Sequence, residues 1–119
     1  MGLVQEQWEF LKDVSRLIIK ADELGITLTA GEMFRTEEQQ KIYFDTGKSK
    51  TMNSNHLKRL AVDFNFFIGG QLVYSHPRID ELAKYWEGLN SKNRWGGNFD
   101  KNWNTKDCFI DQPHFERNV

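Results

Sequence analysis

Apolar residues recur at helical spacing from the start of the chain. Trp8, Leu11, Val14, Leu17, Ile18, Ala21 and Leu24 fall on one stripe, which predicts an amphipathic helix over about residues 4–24. Gly25 is a stop signal for it. The period then changes to two. Ile26, Leu28 and Ala30 alternate with Thr27, Thr29 and Gly31, the pattern of a half-buried strand. Thr36 and Gln39 form a capping box, with Glu37 and Glu38 at the positive end of the helix dipole, so a short helix should run to about Asp45 and stop at Gly47. Residues 46–55 are polar and read as a loop. Leu60 to Ile68 is strongly apolar, and Gly69-Gly70 separates it from Gln71 to Tyr74, which predicts a hairpin with a two-residue turn. Ile79, Leu82, Ala83, Trp86 and Leu89 mark a second amphipathic helix, with Ser75 before it and Pro77 near its first turn. Beyond Asn93 turn signals dominate, and Cys108 to Ile110 is the apolar strand candidate. Helices and antiparallel strands are mixed without a βαβ rhythm, so the class is α+β.

Composition narrows the function classes. The 119 residues suit one domain, residues 1–119, with one modest core. A net charge of −1 lends no support to nucleic-acid binding. The single cysteine, Cys108, rules out an internal disulfide and reads as a small core residue. Residues 1–8 lack a basic region followed by an apolar one, and no apolar run approaches the ~20 residues of a membrane helix. The expectation is a chain made in the cytoplasm, without membrane insertion. Aromatic residues make up 13% of the chain, enough for a tight core or a ring-lined groove. Trp86, Trp95 and Trp103 read mainly as core, and Trp95, beside Gly96-Gly97, is the best candidate for a groove wall.

One residue breaks the apolar pattern. Asp63 stands inside Leu-Ala-Val-Asp-Phe-Asn-Phe-Phe, where a carboxylate must be paired, hydrogen-bonded or bound to a metal. His56 lies upstream, at the end of the polar loop, and His114 follows Asp111-Gln-Pro after the last strand candidate. Two imidazoles and one carboxylate with an open fourth position make a catalytic zinc set. Asp111 lies near enough to His114 in sequence to act as a base without being a ligand. Each residue also has an ordinary reading: a surface histidine, a buried Asp in a hydrogen-bond network, a turn Asp before proline. His76 reads as a surface or cap residue.

The motifs in order resemble the zinc D-Ala-D-Ala carboxypeptidase and phage endolysin group. Ser54-Asn-His56 followed by Ala61-Val-Asp63 matches its S-x-H-x-x-x-x-A-x-D signature. Asp111-Gln-Pro-His114-Phe-Glu116 matches its second motif, Arg35-Thr-Glu-Glu-Gln39 an upstream element, and Arg94-Trp-Gly-Gly97 a stretch common in phage and prophage members. Arg59 stands where many members have glycine.

The resemblance implies a fold, an activity and roles. The fold would be the compact Hedgehog and D,D-peptidase type, a small antiparallel sheet flanked by helices. His56, Asp63 and His114 would hold Zn2+, with Asp111 as general base. Arg35 would bind a substrate carboxylate or polarise the scissile carbonyl, and Ser54 would line the site. The substrate would be the peptidoglycan stem peptide, cut at L-Ala-D-Glu as by phage endolysins. Alternatives are a D-Ala-D-Ala carboxypeptidase or a catalytically silent zinc module. The chain would act as a monomer and reach the wall after release, with a holin as the partner giving access.

Overall fold

The structure is a computed structural model and describes residues 2–47, 54–96 and 113–119. Helix α1 spans Leu3–Glu23 and closes on Gly25, whose φ of 73° is cheap only for glycine. Its buried stripe is Phe10, Val14, Leu17 and Ala21, together with Glu6 and Asp13. This stripe is rotated from the one the hydrophobic spacing predicts. Trp8, Leu11 and Ile18 are 55%, 47% and 47% exposed. Polar partners decide the rotation. Arg117 Nη2 donates to Glu6 Oε1 and Lys92 Nζ to Glu6 Oε2, both at 2.8 Å. Asn93 Nδ2 donates to Asp13 Oδ2 at 3.1 Å. Leaving those buried groups unpaired would cost more than leaving three apolar side chains about half exposed.

Strand β1 (Thr27–Ala30) follows as predicted but is mostly exposed, with only Leu28 half-buried. Helix α2 (Glu37–Asp45) begins where the capping box places it, with Thr36 Oγ1 accepting from Gln39 N at 3.1 Å. A 3-10 turn, Asn55–Lys58, leads into β2 (Ala61–Ile68), the spine of the sheet. β1 lies along one edge of β2, Thr27–Ala30 facing Phe67–Phe64. β3 (Gln71–Val73) returns along the other edge after Gly69 and Gly70, both at positive φ as a primed two-residue turn requires. Helix α3 (Pro77–Leu89) starts at His76, whose Nδ1 accepts from Arg78 N at 3.1 Å, so His76 is a cap.

Two short strands complete the sheet, and neither follows from the hydrophobic pattern. β4 (Asn93–Trp95) and β5 (His114–Arg117) pair with each other, and β5 pairs with the start of β2. The order is β1-β2-β5-β4, antiparallel throughout. His114 therefore opens a strand rather than trailing one. The expected strand at 108–110 lies outside the described residues, as do Trp103 and Asp111.

Alternation sorts the sheet into two faces. Val62, Phe64, Phe66, Trp95 and Phe115 pack with Phe10, Leu17, Leu82 and Trp86 in the core beneath α1 and α3. Phe115 meets Phe64, Phe66 and Trp86 edge-on at centroid distances of 6.1, 6.1 and 5.9 Å. Trp95 is fully buried there, which corrects its assignment as a groove wall. The residues between these, Asp63, Arg94, His114 and Glu116, belong to the opposite face.

Candidate metal centre

Asp63 and His114 are direct cross-strand partners on β2 and β5. Such partners carry side chains roughly 5 Å apart on one face. Here His114 Nδ1 comes within 3.2 Å of Asp63 Oδ1. The backbone of Asp63 is clamped from the other edge. Gly31 N donates to its carbonyl at 2.7 Å, and its own N–H donates to the Glu32 carbonyl at 2.8 Å. A Cβ on Gly31 would sit 3.1 Å from that carbonyl oxygen, so the close approach depends on glycine.

His56 arrives from the 3-10 turn. Ser54 caps that turn, its Oγ accepting from His56 N at 3.2 Å. His56 Nδ1 lies 3.0 Å from the Met33 carbonyl, an acceptor only, so that nitrogen carries the proton. The bare Nε2 then faces Asp63 Oδ1 at 3.4 Å, and it is buried without a hydrogen-bond partner. The His56 and His114 rings stand 4.9 Å apart. His56, Asp63 and His114 each offer one ligand atom, and these atoms lie within 4.8 Å of one another.

The donor set fits a divalent cation. An unprotonated buried imidazole nitrogen with no partner is an unsatisfied acceptor, and a metal satisfies it. Each histidine also has its second nitrogen held by an oxygen: Met33 O for His56 and Glu116 Oε1 for His114, the latter at 2.6 Å. Such outer partners set which nitrogen faces the metal. Burial pushes the Asp63 carboxyl up, and the His114 and His56 imidazoles, when protonated, outweigh it and hold Asp63 below the ordinary carboxylate range. Burial likewise raises Glu116, and His114 and Arg94 together bring it below its usual value.

Arg35 sits beside this cluster, its N–H donating to the His56 carbonyl at 3.3 Å. Its guanidinium is heavily supported. Nε pairs with Glu32, Nη1 donates to Gln40 Oε1 at 2.5 Å and to Ser54 Oγ at 3.5 Å, and the plane lies 4.6 Å from the Tyr43 ring centroid. Tyr43 OH donates to Glu32 Oε2 at 3.1 Å. Glu32, Gln40 and Tyr43 were not singled out from the sequence. Their signal was weak, because polar residues in a loop and on an amphipathic helix are ordinary. Asp111 lies outside the described residues.

The 3-10 turn closes on Arg59 at φ 58°, ψ 37°, the left-handed conformation. That conformation suits glycine, the residue that the resemblance leads one to expect here. The Arg59 guanidinium lies 4.2 Å from the Phe34 ring centroid.

The family model for the phage L-alanyl-D-glutamate peptidases matches residues 3–117. The L-alanyl-D-glutamate peptidase of Listeria phage A118 is 32% identical over 104 residues, 87% of this chain. The chain spans only 34% of that relative's length. The crystal structure of the L-Ala D-Glu endopeptidase ChiX from Serratia marcescens superimposes with a TM-score of 0.64. That match covers 89% of this chain and 78% of the other at 24% identity, and it shows the shared fold. With the matched segment running through both motifs and nearly the whole chain, the protein belongs to the phage L-alanyl-D-glutamate peptidase family.

Proposed function

We propose that the chain is a zinc-dependent endopeptidase that cuts the L-Ala-D-Glu bond of peptidoglycan stem peptides. The observation that carries the reading is the convergence of His56, Asp63 and His114, with His56 Nε2 and His114 Nδ1 at 3.4 and 3.2 Å from Asp63 Oδ1 and His56 Nε2 buried and unpartnered. Family membership supplies the substrate class, through the activity for which the Listeria phage relative is named.

His56, Asp63 and His114 hold the metal. Zinc bound there would supply Lewis-acid chemistry for the scissile carbonyl and for activation of a water. Asp111, three positions before His114 in the motif, accepts the proton of the attacking water and delivers it to the departing amine. Arg35, braced by Glu32 and Gln40, presents a permanently charged fork to a carboxylate or carbonyl of the peptide. Ser54 steadies His56 through its backbone. On this reading the protein acts on the wall as a monomer, with a holin as the partner giving access.

The deciding experiment is Asp111→Asn. The variant should keep one zinc per chain and a near-native melting curve, while hydrolysis of purified peptidoglycan falls by ~10²–10⁴. His114→Ala should lose zinc and activity together. Wild-type hydrolysis by zinc-loaded Asp111→Asn would remove Asp111 from the mechanism.

A further inference from the structure

The alternation of β5 places Glu116 on the same face as His114, two positions along the strand, and the register sets Arg94 of β4 directly opposite Glu116. These neighbours are bonded in series. Glu116 Oε1 lies 2.6 Å from His114 Nε2. Glu116 Oε2 accepts from Arg94 Nε at 2.7 Å and also from Arg94 Nη2. Glu116 is 4% exposed. A carboxylate that deep is expensive unless both oxygens are engaged, and here one goes to an imidazole and the other to a guanidinium.

His114 thus stands between two carboxylates, Nδ1 toward Asp63 and Nε2 toward Glu116. A neutral imidazole carries one proton, and an acceptor on one nitrogen leaves the other free to bind a metal. His56 makes the same division with a backbone carbonyl, which cannot be changed by substitution. His114 makes it with a side chain.

We propose that Glu116, anchored by Arg94, is the positioning residue of the metal centre: it keeps the proton on His114 Nε2 and the ring oriented so that Nδ1 meets Asp63. Glu116 touches neither the metal nor the substrate and acts through His114. The inference rests on the metal reading above.

Two measurements on the whole chain test it. In wild type loaded with Zn2+, long-range ¹H–¹⁵N correlation spectra should show His114 with a protonated Nε2 and a metal-bound Nδ1. This needs no variant. Zinc affinity, measured by competition with a chromogenic chelator, should fall ~10–100-fold in Glu116→Ala. Arg94→Ala should lie between wild type and Glu116→Ala, and in that background Glu116→Gln, which keeps a carbonyl acceptor for the imidazole N–H with no guanidinium opposing its amide N–H, should stay within a few-fold of Arg94→Ala. A metal-bound Nε2 in wild type overturns the proposal while leaving the peptidase reading intact. So does Glu116→Ala binding zinc as tightly as wild type, or the Glu116→Gln, Arg94→Ala double variant losing as much affinity as Glu116→Ala, since rescue by the variant that keeps the acceptor is the mark of a positioning role. Failure of wild type to bind zinc at all sinks both readings together.

Discussion

At Arg59 a side chain occupies a conformation suited to glycine. The left-handed region costs a non-glycine residue roughly 1–2 kcal/mol, because Cβ crowds the following carbonyl. Arg59 recovers part of that through its stack on Phe34. Two substitutions separate the terms. Arg59→Ala keeps the strained φ of 58° and loses the stack, whereas Arg59→Gly loses the stack and removes the strain. Arg59→Gly should therefore melt above Arg59→Ala, by ~1 kcal/mol of stability. The check is thermal unfolding of both metal-free variants, and an Ala variant equal to or above the Gly variant would mean that the φ is not strained in solution. The same turn carries His56, so the backbone that aims a ligand is the backbone under strain.

Among the elements, α1 and β5 are joined by charge as well as by the core. Glu6 and Arg117 are both buried and bonded at 2.8 Å, and Lys92 holds the second Glu6 oxygen. Hydrogen bonds from Lys92 and Arg117 hold the Glu6 carboxyl below its ordinary value, against the opposing effect of burial. The sign of the pH dependence follows. A carboxylate with a depressed folded pKa stabilises the native state fully above its unfolded pKa of ~4.3, and that contribution fades as pH falls through the lower folded value. Wild type should therefore exceed Glu6→Gln in melting temperature at neutral pH, with the gap shrinking as pH drops below about 4. A gap independent of pH would assign Glu6 a packing role only. Because β5 carries His114, this lock also fixes the strand from which a proposed metal ligand projects. The hydrophobic stripe alone would have turned α1 toward Trp8 and Leu11, and these pairings explain why it turned toward Glu6 and Asp13 instead.

For the whole molecule, a 119-residue chain suits one core, and a metal held by a loop, β2 and β5 together would be a large addition to it. Zinc at ~100 times its Kd adds about 2.7 kcal/mol to unfolding. Wild type should melt several degrees higher with zinc than with chelator, and His56→Ala should show no such shift. Equal melting of wild type in both conditions would separate the metal from the native fold. Much of this was legible in the chain. The helix bounds, the Gly69-Gly70 turn and the misplaced Asp63 follow from local rules, since capping, positive φ and the period of apolar residues act within a few positions of each other. The motifs around His56, Asp63 and His114 carried the metal hypothesis for the same reason, each half being compact in sequence. Contacts between distant segments were not legible. β4 and β5 are three and four residues long, too short to show a period, and they exist because β2 offers an edge to pair with. The burial of Trp95, the rotation of α1 and the alignment of Arg94, Glu116 and His114 all depend on register across strands. Sequence by itself determined which residues could bind a metal and where the main elements begin and end. Tertiary structure alone decided that the three candidate ligands meet, because Asp63 reaches His114 across paired strands and His56 is held by the Met33 carbonyl, contacts between residues far apart in the chain.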